Sequence, residues 1–356
     1  MRLRLDKIAS STRNAGLHRD VVLGADIPAE HGAVVAVRVL DEKRAYNKIE
    51  DTGGRMMTFH RGDVVAGVLG SRAALRGYTG EVPASVAVGD TLHLLNLGGV
   101  IGHCTSFSPE VGPPARVEVL GAVMRFSELG RRVGSPALIF PGSVALSPTL
   151  TPLPPVVLLV GSCMHAGKTL AACALIRAAA GRGLRVGAAK VTGVALRRDT
   201  LNMLDYGAQS AYTFADAGLP STCDGDVIAA ARGCMNAAGV GADLVVVELG
   251  DGLLGEYGVM DVLRDPAIQQ AASMVILAAP DPVAAWGGAK LLDGIGYALD
   301  AVVGPATDNQ AGRRFLSGRM GVLALNAMTD ADAYGDAILA RLGLAGPPRL
   351  AAGGAQ

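Results

Sequence analysis

One run of residues carries the most specific chemistry in the chain: Gly161-Ser162-Cys163-Met164-His165-Ala166-Gly167-Lys168-Thr169. Glycines at both ends let the backbone curl until its N–H groups converge, and a helix starting just behind adds the positive end of its dipole. A lysine over such a curl neutralises outer phosphate oxygens, and a hydroxyl beside it suits a magnesium ion. The chemistry asked for is that of ATP with Mg2+, held by Gly161, Ser162, Ala166, Gly167, Lys168, Thr169 and Leu170. Cys163 and His165 sit in the same loop, but such loops tolerate side chains turned away from the phosphates, and no catalytic role is assigned to either.

The surroundings fit. Val156 to Val160 is a buried-strand run, and Leu170 to Ala180 continues as a helix stopped by Gly181 and Gly183. The loop is a P-loop with one residue more than the common pattern, Gly161 standing one step earlier where that pattern has its glycine at Ser162.

The spacing Gly-x5-Gly-Lys-Thr is similar to that of dethiobiotin synthetase and the cobyrinic acid amide synthases. Two further landmarks follow in the same order. Leu184 to Ala189 runs into Lys190-Val191-Thr192-Gly193 and then Arg197-Arg198-Asp199, and Val245-Val246-Val247-Glu248 runs into Leu249-Gly250-Asp251-Gly252. The resemblance implies that Thr169, Asp199 and Glu248 hold magnesium, and that Lys168 and Lys190 neutralise the transferred phosphoryl group. It also implies that Gly250 to Gly252 approach substrate and that Asn326 or Asn309 reads the base. Simpler readings stand beside these: Glu248 paired with a surface arginine, Asp199 as a helix N-cap, Lys190 reaching solvent, either asparagine capping a turn. Arg197 and Arg198 flank Asp199, and one of them is expected to face ligand; Arg198 is taken as the catalytic one. A second likeness is to the P-loop family containing the D-glutamate N-acetyltransferase. These likenesses span roughly Val156 to Met328.

These residues need a parallel sheet whose strands end at one edge. After Val156 the chain alternates apolar strands with alanine-rich helical stretches, giving strands at Val156–Val160, Leu184–Lys190, Leu244–Glu248, Met274–Ala278, Ala301–Gly304 and Gly321–Leu325. Before it, from Val21 to Leu120, short valine- and leucine-rich segments separated by Gly62-Asp63, Gly89-Asp90 and Gly98-Gly99 read as an all-β unit. The echo of Gly62-Asp63-Val64-Val65 in Gly89-Asp90-Thr91-Leu92 suggests a barrel of related turns. The fold class is α/β, a P-loop NTPase domain preceded by a smaller barrel-like all-β domain. The expected division is 1–134 β-rich, 135–155 a linker carrying Pro136, Pro141, Pro148, Pro152, Pro154 and Pro155, 156–345 nucleotide-binding, and 346–356 a disordered tail. In the β unit, Arg72, Arg76 and Tyr78 form a cluster suited to a carboxylate or phosphate, with a solvated loop as the simpler reading. The glycines from Asn96 to Cys104 are read as structural turns.

Composition sets the outer limits. Lysine plus arginine equals aspartate plus glutamate at 32 each, so nucleic acid and anionic membranes are not expected partners. No apolar run approaches the roughly 20 residues that span a bilayer. Five irregularly spaced cysteines and a charged N-terminus point to a reducing cytoplasm, and the six histidines lack zinc-ligand spacing. The expectation is a cytoplasmic homodimer acting on an anionic small molecule: an enzyme moving the γ-phosphate of ATP onto a carboxylate or carbamate in a ligase-like, C–N bond-forming reaction. A hydroxyl kinase and a nucleotide-gated binding or metal-delivery protein are the alternatives.

Overall fold

The computed structural model describes residues 1–126, 134–140 and 142–346. Pro141 and residues 347–356, nearly all of the expected tail, lie outside the described residues.

The first half builds one sheet that closes on itself. Val34–Val39, Val64–Leu69, Val100–Phe107, Thr91–Leu94 and Arg116–Arg125 pair in that order, and Arg116–Arg125 pairs again with Val34–Val39. The ring is a small barrel filled by inward valines, leucines and isoleucines such as Val35, Val37, Val65, Leu92, Ile101, Val117 and Val119. The two Gly-Asp turns are equivalent. Gly62 and Gly89 both take φ near +94, at 93° and 94°, where glycine avoids a Cβ clash. Asp63 then accepts the N–H of His60, and Asp90 that of Ala87, three residues back in each case.

The second half is an α/β unit with seven parallel strands in the order Ser210–Thr213, Val186–Thr192, Leu244–Leu249, Val156–Gly161, Ala272–Ala278, Ala301–Val303, Leu323–Ala324. Central strands buried on both faces require uninterrupted apolar runs, and every residue of Val156–Gly161 and Leu244–Leu249 is buried. All six expected strands form within three residues of their expected ends. The seventh, Ser210–Thr213, is a short polar edge strand with no apolar signal. The helix Lys168–Gly181 follows the phosphate loop, and its alanines let it lie close on the sheet. Among the described residues no helix is long and apolar enough to cross a membrane.

The described part of the proline-rich segment sends apolar side chains into both units. Ala137 and Ile139 sit in the core of the β unit, while Val144, Leu146, Leu150 and Leu153 cover the second core of the α/β unit. The two units meet through more than this strap. Arg13 pairs with Asp216 at 3.0 Å, Asn14 Nδ2 donates to the Ala215 carbonyl at 2.7 Å, and Val100 packs on Ala195 and Phe214. Gly98 approaches so closely that a Cβ there would lie 2.0 Å from the Ala195 carbonyl oxygen.

That contact generates a test. Gly98→Ala is expected to force the two units apart locally and cost about 1–3 kcal/mol, as overpacking of a close contact does; chemical denaturation of the full chain measures it, and an unchanged midpoint would show that the approach is not tight.

Candidate functional site

Strand register brings the site together. Lys190 stands opposite Glu248 on neighbouring strands, and Glu248 opposite Leu159 on the phosphate-loop strand, so all three chains leave the sheet at one edge. An irregularity between Lys190 and Thr192 shifts the register at that edge, as bulges beside functional sites commonly do. Ligands of open parallel sheets bind at this edge.

The phosphate loop curls between Gly161 and Lys168. Gly167 takes φ 103°, and a Cβ on Gly161 would come within 2.6 Å of Lys168 Nζ, so both glycines are required for the loop's shape. Lys168 is 6% exposed, and its ammonium donates to the carbonyls of Cys163 at 2.9 Å and Asp251 at 2.5 Å. Burial pushes its pKa down, more than the carboxylates of Glu248 and Asp251 raise it. The Gly250–Gly252 turn packs on the loop itself, where a Cβ on Gly252 would lie 2.7 Å from the Ser162 carbonyl oxygen.

Thr169, Glu248, Lys190 and Asp199 form a continuous chain of contacts. The Thr169 hydroxyl donates to Glu248 Oε1 at 3.0 Å; Lys190 Nζ lies 3.8 Å from the same oxygen and bonds Asp199. Glu248 is 2% exposed, and its Oε2 has no partner among the described residues. Burial pushes the Glu248 pKa up despite the lysines, while Lys190 rises because Asp199 and Glu248 outweigh its burial. Burial acts to raise Asp199 as well, but Lys190 outweighs it and holds the carboxyl below its usual range. An orphaned carboxylate oxygen in so dry a place costs on the order of 1–3 kcal/mol.

That oxygen is the test of fit for magnesium. A half-buried hydroxyl and a carboxylate with a spare oxygen are the hard donors Mg2+ takes alongside phosphates and water, so Thr169 and Glu248 fit. Of the three expected ligands the structure joins these two and turns Asp199 to Lys190 and to Arg198, whose Nε lies 3.9 Å away.

Of the arginine pair, Arg198 lines the cleft, whereas Arg197 is spent on the other unit, donating to the Thr52 carbonyl. Asn326 is 2% exposed and does not line the cleft: its amide donates to Asp308 and accepts from Met328 and Thr329, so it holds a turn. Asn309 caps the helix Gln310–Met320 by accepting from Gly312. Leu170, 39% exposed, and Thr169 lie on the cleft wall, Ser162 is half-buried, and Ala166 is buried in the loop.

Two contributors from the β unit were not legible in the sequence. Glu50 is fully buried, and its two oxygens accept the backbone N–H groups of Arg197 at 2.7 Å and Arg198 at 2.8 Å, capping the helix Arg198–Asp205 that carries Asp199 in its first turn. Asn96 donates to the Ala195 carbonyl at 2.6 Å on the same segment. Arg72, which reads in sequence either as part of an anion-binding cluster or as a solvated loop, is 5% exposed and lines the cleft. The cleft between the two units has a volume of about 570 Å³, within the range of small-molecule sites.

The second unit has a parallel sheet whose central strand runs through the phosphate loop into a helix, and an N-terminal sheet-rich domain precedes it. No family model and no curated protein matches the chain. Among solved structures it is similar to the 54 kDa signal recognition particle protein of Aeropyrum pernix K1 in complex with GDP, at 22% identity over 56% of this chain and 48% of that one, with a TM-score of 0.38. It is similar to the signal recognition particle receptor FtsY of Elizabethkingia anophelis at 18% identity, 50% and 59% coverage, and a TM-score of 0.34. For the cell division protein FtsY of Thermotoga maritima the values are 15%, 57%, 72% and 0.37. The chain thus spans about half the length of the first of these.

The depressed Lys168 pKa has a measurable consequence. Well below that lowered pKa the ammonium is charged with or without nucleotide, and binding takes up no proton. As pH rises past it, the free protein loses the proton that bound phosphates restore, so triphosphate binding takes up as much as one proton. Calorimetry in buffers of different ionisation enthalpy, scanned from about pH 7 to about pH 10, is expected to show that rising uptake in the natural chain and its loss in Lys168→Arg. Glu50→Ala, which strips two charge-assisted bonds from the Asp199 helix, is expected to cost about 2–5 kcal/mol in chemical denaturation.

Proposed function

We propose that the chain is a magnesium-dependent phosphoryl-transfer enzyme that uses ATP and an anionic small-molecule acceptor, working in the cleft between its two units. The observation that carries this reading is the chain of contacts Thr169–Glu248–Lys190–Asp199, ending in an unpartnered Glu248 oxygen beside the phosphate loop. A structural ion pair has no use for an orphaned buried oxygen; a cation site does.

Each residue then has a task. Lys168 leaves the carbonyls of Cys163 and Asp251 for the outer phosphates, which restore the positive charge that burial opposes. Thr169 and Glu248 hold magnesium, which when bound neutralises phosphate charge. Lys190, kept charged by Asp199 and Glu248, presents a second cation at the same edge, and Arg198 supplies a third on the open side. Phosphoryl transfer asks mainly for positioning and charge stabilisation, and these groups supply both.

The likeness of the loop and its two landmarks to dethiobiotin synthetase supports a carboxylate or carbamate as acceptor, with an acyl phosphate captured by nitrogen. A second reading, in which nucleotide state drives a change of conformation, is favoured by one observation: Glu50 of the β unit grips the segment carrying Asp199, so a shift of that segment would be felt in both units.

Phosphorus NMR of the full chain with ATP, Mg2+ and a library of small acids is expected to show acceptor-dependent ADP. Lys168→Ala is expected to lower that turnover by at least about 100-fold, the scale of removing one transition-state donor. Turnover that survives the substitution, or that needs no magnesium, would overturn the assignment.

A further inference from the structure

The cleft holds a cation that the phosphate site does not use. Arg72 comes from the β unit, and its Nη1 donates to the Tyr46 hydroxyl at 2.7 Å and to the Leu95 carbonyl. The rings of Tyr46 and Tyr78 flank the guanidinium, with centroids 5.6 and 5.7 Å from its central carbon, and meet each other edge to face. These contacts fix the guanidinium plane and occupy one of its nitrogens. The rest of the guanidinium is unbonded: among the described residues Nε is buried without a hydrogen-bond partner, and Nη2 makes no hydrogen bond. Gly77, at φ 146°, packs beside Nη2, where a Cβ would come within 2.8 Å and crowd the guanidinium.

A buried guanidinium normally has a counter-ion, because desolvating a lone charge is expensive. Here no carboxylate lies within ion-pair distance among the described residues, and on this cleft-lining side chain the two N–H groups of Nη2 are the donors left for an anion. The location fits an acceptor. Arg72 is near enough to Asp251 and Tyr257 for its charge to act on both, and the Ala73 N–H donates to the Tyr257 hydroxyl at 3.2 Å, pinning this segment beside the Asp251 turn. Both carboxylate oxygens of Asp251 are buried with no side-chain partner among the described residues, only the neighbouring Gly252 N–H acting on them, so N–H or O–H donors of a ligand would suit them.

We infer that Arg72, held between Tyr46 and Tyr78, is the anion-binding group of the acceptor subsite, and that the acceptor is a small carboxylate carrying an N–H or O–H donor that faces Asp251. The inference deepens the phosphoryl-transfer reading and rests on it for the word acceptor. The same N–H pair would also suit a phosphate oxygen, so the test separates the two sources.

The experiment is thermal unfolding of the full chain, with and without Mg-ADP, against acetate, lactate, malate and aspartate, with inorganic phosphate and sulfate as the other arm. At least one hydroxy- or amino-carboxylate is expected to raise the melting temperature more than acetate does. Its apparent dissociation constant is expected to rise at least about tenfold in Arg72→Gln, and by less in Tyr46→Phe, which keeps the guanidinium and loses one of its anchors. A persisting Mg-ADP shift reports that each variant is folded. No stabilising carboxylate, or one whose effect survives Arg72→Gln, overturns the inference. Phosphate as the sole ligand lost in Arg72→Gln also overturns it, because Arg72 would then read nucleotide phosphate. If Mg-ADP shifts nothing even in the natural chain, the nucleotide reading fails instead, and the carboxylate arm still decides the subsite.

Discussion

The buried triad of Lys190, Asp199 and Glu248 is the interaction on which the rest of the site depends. Three charges in a place this dry are tolerated only because each is partnered: Lys190 bonds Asp199 and stands 3.8 Å from Glu248, which takes the Thr169 hydroxyl. Breaking any member leaves a bare charge among apolar strands. The triad thereby locks the order of the strands, since Lys190 meets Glu248 only if their strands are neighbours in the observed register. It also locks the phosphate-loop helix to the sheet through Thr169. One Glu248 oxygen remains unsatisfied in an otherwise completed network, which makes the cation reading an inference from electrostatics rather than from the loop's sequence alone.

The β unit is part of this arrangement. Its Glu50 supplies the cap for the helix that carries Asp199, so a carboxylate from one unit sets the position of the carboxylate that keeps Lys190 charged in the other. Gly98 and Asn96 grip Ala195 on the same segment, and Arg197 reaches back to Thr52. These bonds are short-range and buried, so the segment from Gly193 to Asp199 is shaped by both units together. A cleft built this way can present Arg72 to whatever sits beside the phosphates without a long mobile lid.

Much of the fold was legible because its signals are local. Buried parallel strands need unbroken apolar runs, and Val156–Gly161, Leu244 to Val247 and Met274 to Ala278 supply them. The Gly-Asp repeat in the β half marks two equivalent turns of a closed ring, and the loop from Gly161 to Thr169 announces itself by glycine, lysine and threonine. Ser210–Thr213 escaped because a polar edge strand has no apolar pattern to show. Asn326 misled because an asparagine after a strand signals a turn and a base contact equally well; its three bonds to Asp308, Met328 and Thr329 make it a turn. Glu50 was beyond reach for a different reason. Its significance lies in a partner about 147 residues away, and no local pattern records such a meeting.

The central claim is that Glu248, with Thr169, holds the magnesium ion that accompanies a nucleotide. Titrating the full chain with a fluorescent ATP analogue, once with Mg2+ and once with EDTA, isolates the part of the affinity that depends on the metal. The natural chain is expected to gain at least about tenfold on adding Mg2+, and Glu248→Gln, which keeps the shape and removes the charge, is expected to lose that gain while retaining its metal-free affinity. An equal gain in both chains would contradict the account.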